Sequence, residues 1–219
     1  MANPLGRSGL VMPAATSKRS RTNDPANTRS RILDAAARLF HHKGYNETSI
    51  QDIMRAASVT GGALHHHYRT KKDVGLAVIR ERVAKIVDEV WIDPMLDAAD
   101  PVTGVTDAIR GIIQGLGKEP IAGCPLNNLA VELAYADPDF RVEIQAIFEK
   151  WQSALADRIA QSGVCSNNGD GVSPAEIATF IVASYSGAMT LAKSAQSADP
   201  LNATMKVLAR GWPTNRAAA

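Results

Sequence analysis

The sequence predicts an all-α protein of about nine helices. Three observations support this fold class. Apolar residues recur at the 3.6-residue period of a helix, capping residues precede most of these stripes, and no segment shows the alternation typical of a strand. Apolar residues make up 45% of the 219 residues and charged residues 21%, which supplies a hydrophobic core and excludes a wholly disordered chain.

The N-terminal part of the chain begins as a tail. Residues 1–26 are rich in Ala, Ser, Pro, Asn and Arg and lack periodicity, so we expect a flexible basic tail there. From Asn27 the pattern becomes helical, with apolar residues at positions i, i+4, i+7 and i+8. This first helix ends at Gly44, because glycine is a common C-terminal stop.

Three further helices follow closely. The segment Thr48–Gln51 (TSIQ) fits a capping box, which predicts a short second helix. After a tight turn, Thr60 caps a third short helix that ends near His67. The segment Thr70–Asp73 then begins a long fourth helix that carries an apolar stripe.

The rest of the chain contains four pairs of an N-cap residue followed by proline, and each pair marks a helix start. They predict helices near residues 101–117, 138–163, 173–197 and 199–210, and one more helix follows Cys124. The longest apolar run, Ile177–Ala192, is shorter than the roughly 20 residues that span a bilayer, so we interpret it as a buried helix. We therefore expect no membrane partner. Without an export signal and with two cysteines, a cytoplasmic location is expected.

Charge is distributed unevenly along the chain. Residues 1–82 contain 14 Lys and Arg against 6 Asp and Glu, whereas residues 83–219 contain 10 against 16. A basic segment joined to an acidic one indicates that the N-terminal part contacts a polyanion. Two short helices joined by a three- or four-residue turn in this basic part form a helix-turn-helix pattern, which also occurs in helical bundles of other function.

Residues 28–79 resemble the N-terminal DNA-binding domain of the TetR family of transcriptional regulators. The resemblance rests on Ile32, Leu33, Ala35, Ala36, Leu39, Phe40, Gly44, Tyr45, Thr48, Ser49, Asp52, Ile53, Val59, Leu64, His66, His67, Tyr68, Lys71 and Lys72. It implies a helix-turn-helix DNA-binding domain at residues 27–72 and a larger helical ligand-binding and dimerisation domain at residues 73–219. The implied partners are a duplex DNA operator, a small-molecule inducer and a second copy of the chain.

The DNA-binding residues follow from the resemblance and from helix geometry. They are Thr48, Ser49, Thr60, Gly61, Gly62, His65, His66, Lys71 and Lys72. The first turns of the third helix are expected to reach base edges in a major groove, and the start of the second helix offers free N–H groups to a phosphate. Lys71 and Lys72 are expected to contact backbone phosphates, which set affinity rather than sequence.

Two positions depart from the pattern of the resembled family. Its members usually carry Lys or Arg at the position of Gly61 and Tyr at the position of His65. We therefore expect fewer direct base contacts, with specificity read through DNA shape or water. His66 is expected either to pack at the domain joint or to donate to a phosphate.

Catalysis and metal binding are not predicted. Consecutive residues on a helix point about 100° apart, so the run His65–His67 does not form one facial metal site. The chain lacks a Gly-rich phosphate loop, a nucleophile elbow and a ligand-spaced metal cluster, so we expect no cofactor and no enzyme. A helical adaptor without DNA affinity is the other alternative, and salt-dependent binding to duplex DNA would exclude it.

Residues 121–151 resemble a TetR subgroup in which Gly-Cys opens a helix after a loop. Cys124 then lies at a helix N-terminus, where the helix dipole favours the thiolate. In electrophile-sensing members of the subgroup a lysine near the cysteine corresponds to Lys193, so the resemblance makes these two residues a candidate thiol sensor. The alternatives are that Cys124 is a small buried apolar residue and that Lys193 reaches to water.

Large side chains on the central helices are expected to form mostly core, and the resemblance implies that several line a ligand cavity, with Asn127, Asn128 or Glu132 as polar anchors. The predicted ligand-binding or sensing residues are Trp91, Cys124, Asn128, Trp151, Tyr185 and Lys193. The last two helices are expected to form the dimer interface through small residues, with Ile177, Ile181 and Met189 between them. The sequence thus predicts a dimeric repressor released by an inducer, with thiol sensing through Cys124 as the alternative.

Overall fold

A computed structural model describes residues 24–117, 119–163 and 172–211. Every regular element in these ranges is helical, which confirms the all-α prediction. The nine helices of the described residues are α1 (Pro25–Lys43), α2 (Ile50–Ala57), α3 (Gly61–His67), α4 (which begins at Lys71 and ends at Asp97), α5 (Pro101–Gly115), α6 (Pro125–Leu133), α7 (Pro138–Gln161), α8 (Pro174–Ala195) and α9 (Asp199–Gly211).

Helix α4 is continuous but not uniform. Its α-helical segments Lys71–Val78, Ala84–Val87 and Asp93–Asp97 are separated by two π-helical segments, Ile79–Val83 and Asp88–Ile92. A π-turn widens the helix by one residue, and π-turns are frequently found at functional sites. The apolar period predicted a long helix here but not these two segments.

The helix starts follow the predicted capping chemistry. Asp100 and Ser173 each accept a hydrogen bond from the amide three residues further on, at 3.0 and 3.3 Å, and a proline follows each of them. The same chemistry corrects the first helix. Asp24 accepts from the amide of Ala26 at 3.0 Å, so α1 begins at Pro25, earlier than the predicted end of the tail. Residues 1–23 of that tail, and Cys165, lie outside the described residues.

The described residues group into two compact units. The first unit contains residues 24–85 and Cys124–Gln145, and its core includes Ile53 and Leu64, which are fully buried. The second unit contains Ile86–Gly123 and residues 146–211. The compact units divide after Lys85, whereas the predicted domain boundary follows residue 72. The domain boundary after residue 72 stays a prediction.

Helix α8 is long and apolar enough to cross a membrane by length and composition alone, a test that the core helix of a soluble protein also passes. One face of α8 is buried at helical spacing, through Ala178, Ile181, Val182, Tyr185, Ala188, Met189 and Ala192. The opposite face exposes Phe180 and Leu191, at 60% and 61%. The prediction of a buried helix is therefore wrong for half of its surface. Ile181 and Met189, predicted for the dimer interface, belong to the core of the protomer.

Candidate nucleic-acid interface and effector-binding residues

Helices α2 and α3 form the predicted helix-turn-helix. The turn begins at Ser58, which adopts a left-handed conformation at φ 52° and ends α2. The amide of Val59 donates to the carbonyl of Met54 at 3.0 Å, so the turn closes on the last turn of α2. Thr60 then caps α3, since its hydroxyl accepts from the amide of Ala63 at 3.2 Å. The prediction that Thr60 caps this helix is thus confirmed.

The orientation of α3 is fixed by a single large apolar side chain. Leu64 is 0% exposed and anchors the helix in the core of the first unit. The opposite side of the helix is accessible: Thr60, Gly62, His65 and His66 are exposed, and Gly61 is half-buried. The five residues predicted for this helix and its cap therefore lie at or near one accessible surface, as entry into a DNA groove requires.

The capping box of α2 is shifted by one residue from its predicted position. Ser49 is the N-cap, and its hydroxyl accepts from the amide of Asp52 at 3.1 Å while the carboxylate of Asp52 accepts from the amide of Ser49 at 3.1 Å. Hydrogen bonds from the backbone and hydroxyl of Ser49, and one from Lys43, lower the pKa of Asp52 to about 2. Ser49 is exposed at the start of α2, where its prediction as a DNA-binding residue still stands.

Thr48 is not available to DNA, which corrects the prediction. Its side chain is 0% exposed. Its hydroxyl donates to the carbonyl of Gly44 at 2.6 Å, and its amide donates to the carbonyl of Tyr45 at 3.1 Å. Both of its donors are therefore used inside the turn between α1 and α2.

Lys71 has a structural role in the free protein, and its predicted phosphate contact stays a prediction. Its ammonium donates to the carbonyls of Tyr45 and Thr48 at 3.1 Å and to that of Asn46 at 3.4 Å. The same Nζ lies 4.4 Å from the centre of the Tyr45 ring, within cation–π range. Lys71 thus ties the start of α4 to the turn between α1 and α2, and no local sequence pattern indicates these acceptors.

Lys72 differs from its neighbour because its partners are carboxylates. Its Nζ lies 2.7 Å from Asp137 Oδ2 and 2.7 Å from Asp139 Oδ2, at the start of α7. The side chain of Lys72 remains 37% exposed. Hydrogen bonds to Asp137 and then Asp139 raise the pKa of Lys72 above its ordinary value. The ammonium is therefore charged at neutral pH and paired, with a face still open to solvent.

Two charged residues that stabilise this unit were not identified from the sequence in these roles. Glu132, one of three alternative polar anchors for an effector in the sequence analysis, accepts from the amides of Tyr45 and Asn46 at 3.0 and 2.6 Å. Arg31 donates to the carbonyl of Ala57 and, at 2.9 Å, to that of Ser58. A cation at a helix C-terminus is favourable, so Arg31 stabilises the end of α2 directly before the recognition helix.

The second unit contains a buried aromatic cluster that brings three predicted effector residues together. Trp91, Trp151 and Tyr185 are 3%, 1% and 0% exposed. The ring centres of Trp91 lie 4.7 Å from Trp151 and 4.6 Å from Tyr185. The indole N–H of Trp151 is buried without a hydrogen-bond partner among the described residues. Trp91 also lies in the second π-helical segment of α4.

Of the other three predicted sensing residues, Cys124 and Asn128 belong to the first unit, and Lys193 belongs to the second unit with the aromatic cluster. Cys124 is the N-cap residue of α6, as predicted, and is 7% exposed. Asn128 is half-buried on the same helix, and Lys193 is exposed in the last turn of α8. Cys124 and Lys193 belong to different compact units, so their pairing stays a prediction.

The second unit also contains a surface pocket. The pocket has a volume of about 400 Å³, includes none of the predicted effector residues, and is lined by Ile113, Leu116, Gly117, Glu119, Pro120, Ile121, Gln196 and Ala198. In the part of the chain that the structure describes, no group of three or more His, Cys, Asp or Glu side chains is arranged to hold a metal ion.

The class of protein follows from the first unit. A basic three-helix bundle whose third helix is anchored by Leu64 and open on its other side is the architecture of a helix-turn-helix regulator. Residues 32–78 match the family model of bacterial regulatory proteins of the tetR family, and residues 101–207 match the C-terminal domain of LmrA/YxaF-like transcriptional regulators.

Similar proteins extend over most of the chain. An uncharacterized HTH-type transcriptional regulator in the lacX 3' region of Lactococcus lactis subsp. lactis is 30% identical over 185 residues, which are 83% of this chain and 91% of the relative. The HTH-type transcriptional repressor DhaR of Mycobacterium sp. (strain GP1) is 26% identical over 82% of this chain and 89% of the relative. The crystal structure of regulatory protein TetR from Rhodobacter sphaeroides aligns with a TM-score of 0.75 and 25% identity, over 84% of this chain and 97% of that one.

The chain belongs to the TetR family of transcriptional regulators, and its C-terminal half is of the LmrA/YxaF-like type. This confirms the resemblance drawn from the sequence. Members of the family bind DNA operators, typically as dimers, and ligand-responsive regulation is typical of them. The family is one of regulators and not of enzymes.

Proposed function

We propose that this regulator represses transcription by binding a palindromic operator as a homodimer, and that a small-molecule effector releases it. The accessible face of α3 carries the proposal, because Leu64 anchors the helix while His65 and Gly62 remain open to a major groove. In a twofold dimer, two such helices read half-sites about one DNA turn apart. Because the proposed partner is chromosomal DNA, we expect the regulator in the cytoplasm.

The DNA-binding role predicts separate effects on sequence preference and on general affinity. The specific probe is a duplex that the wild-type protein enriches from a random library. We expect His65→Ala to bind this duplex about tenfold more weakly, because a lost base contact costs roughly 1–3 kcal/mol. Binding to an unselected duplex is expected to change less than about twofold, since backbone contacts supply most non-specific affinity. Fluorescence anisotropy at fixed salt measures both affinities.

His42→Ala is the matched control for this experiment. His42 is also an exposed histidine of the first unit, but it lies at the end of α1, away from α3 in sequence. It is expected to change neither affinity. If the wild-type protein enriched no consensus sequence, or if His65→Ala weakened both duplexes equally, α3 would not be the helix that reads bases.

The proposed homodimer rests on the outer face of α8. Phe180, Ala183, Gly187 and Leu191 are exposed and recur at helical spacing, so they form one apolar stripe with small residues at its centre. Val207 of α9 is also 63% exposed. Exposed apolar patches of this kind mark interaction surfaces, and small residues allow two helices to approach closely. A second copy of the chain covers both helices in the proposed dimer.

The aromatic cluster supports an effector that is apolar and carries one hydrogen-bond acceptor. Tilted and edge-on rings favour an aromatic ligand, and the indole N–H of Trp151 offers a buried donor that such a ligand would satisfy. The π-helical turn at Trp91 places a locally adaptable backbone beside the cluster. The effector binds here by opening space between rings that pack together in the free protein.

A pair of matched compounds tests this effector class. We expect acetophenone to raise the Tm of the wild-type protein more than ethylbenzene does, because only the ketone accepts a hydrogen bond. The affinity ratio is expected to be about fivefold, equivalent to one net hydrogen bond. Trp151→Phe removes the donor and should make the two compounds equivalent. If wild type and Trp151→Phe showed the same preference, the indole would not be the ligand's partner.

Thiol sensing by Cys124 has no such support. The Cys124 side chain is buried at the start of α6, so an electrophile in solvent reaches it only after the surrounding side chains open. The proposed effector therefore binds without covalent chemistry.

A further inference from the structure

One ion-pair cluster links the DNA-binding bundle to the start of α7. Lys72 is the second residue of α4 and lies between Thr70 and Asp73, which form the capping box of this helix. Its ammonium is shared between Asp137 and Asp139, with an N–O distance of 2.7 Å to each carboxylate. One cation therefore faces two anions, and the group as a whole carries a net charge of about −1 at neutral pH.

The Asp137 carboxylate is held in place by the start of its own helix. Asp137 Oδ1 accepts from the amide of Asp139 at 2.9 Å, and the carbonyl of Asp137 accepts from the amide of Arg141 at 3.1 Å. The side chains of Asp137 and Asp139 are 26% and 65% exposed. The Asp137 acceptor is thus held in position, both carboxylates are in contact with water, and an ion pair of this kind is exchangeable.

We propose that Asp137 and Asp139 act as an intramolecular competitor of DNA, holding the Lys72 ammonium in the free protein until a backbone phosphate displaces them. The inference rests on the proposed function and on the sequence-based expectation that Lys72 contacts a backbone phosphate. Two carboxylates present oxygen acceptors to an ammonium in the same way as a phosphate does, so the lysine binds one or the other.

This competition connects DNA binding to the segment that includes α6 and α7. The same segment holds the turn between α1 and α2 through Glu132 and the amides of Tyr45 and Asn46. By linkage, when a DNA phosphate displaces Asp137 and Asp139 from Lys72, the interaction between the start of α7 and the DNA-binding bundle weakens. Any shift of α7 away from Lys72 in turn strengthens binding to DNA.

The experiment compares carboxylate removal in two backgrounds. The variants are Asp137→Asn/Asp139→Asn, Lys72→Gln and the combination of all three. Asparagine is as good an N-cap residue as aspartate, so the start of α7 is retained. The probe is a 30-base-pair duplex of random sequence, and its dissociation constant is measured by fluorescence anisotropy at fixed salt.

Glu143→Gln/Glu149→Gln is the matched control, because it also removes two carboxylates from α7. Glu143 pairs with Arg80, which lies eight residues beyond Lys72, about 12 Å along α4. We expect Asp137→Asn/Asp139→Asn to bind the duplex about fivefold more tightly per protomer than the wild-type protein does. The control is expected to change this affinity by less than about twofold. In the Lys72→Gln background, the aspartate substitutions should have no more effect than the control.

The outcomes separate this inference from the proposed function. Equal effects of the aspartate and glutamate substitutions, or an aspartate effect that persists in Lys72→Gln, would show a general charge effect and overturn the competition. Asp139→Asn alone, at the more exposed carboxylate, should give an intermediate gain in affinity for the duplex. This single variant keeps the test valid if the double variant misfolds. A wild-type protein that binds no duplex DNA at any salt concentration would instead refute the proposed function itself.

Discussion

Gly75→Ala is expected to lower the free energy of unfolding by about 2 kcal/mol, although alanine is the better helix former. Gly75 is buried in α4, and a β-carbon built there lies 2.8 Å from Tyr45 Cε2 and 2.9 Å from Phe140 Cε1. The two rings are 8% and 2% exposed and pack edge to face with centres 5.1 Å apart. Neither ring moves aside without displacing close-packed neighbours, so the clash outweighs the gain in helix propensity.

Gly62→Ala is the matched control, since a β-carbon at Gly62 has no atom within 4 Å. It lies in the same unit and is expected to be neutral or to stabilise the protein by up to about 1 kcal/mol. Urea unfolding followed by circular dichroism at one protein concentration measures both variants. If both alanines had the same small effect, the contact between Tyr45 and Phe140 would be soft, and α4 would not depend on a glycine there.

The parts of the fold that the sequence predicts well are those determined within a few residues. Thr60 and Thr70 cap their helices through the amides three residues further on, and the same holds for Asp100 and Ser173. These signals are local, because donor and acceptor lie in one turn of the chain. The early start of α1 at Pro25, capped by Asp24, follows the same rule but is obscured by the composition of the tail before it.

The roles of charged residues depended on partners that the sequence does not bring together. Lys71 finds its carbonyl acceptors more than 20 residues earlier, and Lys72 finds its carboxylates 65 and 67 residues later. Glu132 reaches amides 86 and 87 residues away. A lysine after a cap residue looks the same in sequence whether it faces solvent, a carbonyl or a carboxylate. Only tertiary packing makes the distinction.

Helix α8 shows a second limit of the periodic signal. Apolar residues occur on all sides of this helix, so the 3.6-residue period does not indicate which side faces the core. Packing places Ile181, Tyr185 and Met189 inside and leaves Phe180 and Leu191 outside. The predicted interface residues Ile181 and Met189 are therefore core residues of the protomer, and the proposed interface uses the exposed residues of the same helix.

Phe180→Glu/Leu191→Glu is expected to convert the proposed dimer to a monomer and to reduce affinity for the enriched operator by about a hundredfold or more. Both side chains are more than half exposed in the protomer, so the substitutions leave its core intact. In the dimer they would bury four carboxylates without partners, which costs more than the apolar contact supplies. A monomer reads one half-site and loses the gain that comes from joining two.

Val142→Glu is the control for this last experiment. Val142 is 64% exposed on α7, so the substitution introduces the same charge at an exposed apolar position of the other unit. Sedimentation velocity at micromolar concentration should show Val142→Glu as a dimer and Phe180→Glu/Leu191→Glu as a monomer, with unchanged far-ultraviolet circular dichroism for both. If the α8 variant remained dimeric and bound the operator normally, the twofold axis would pass through another surface, and the exposed stripe of α8 would serve a different partner.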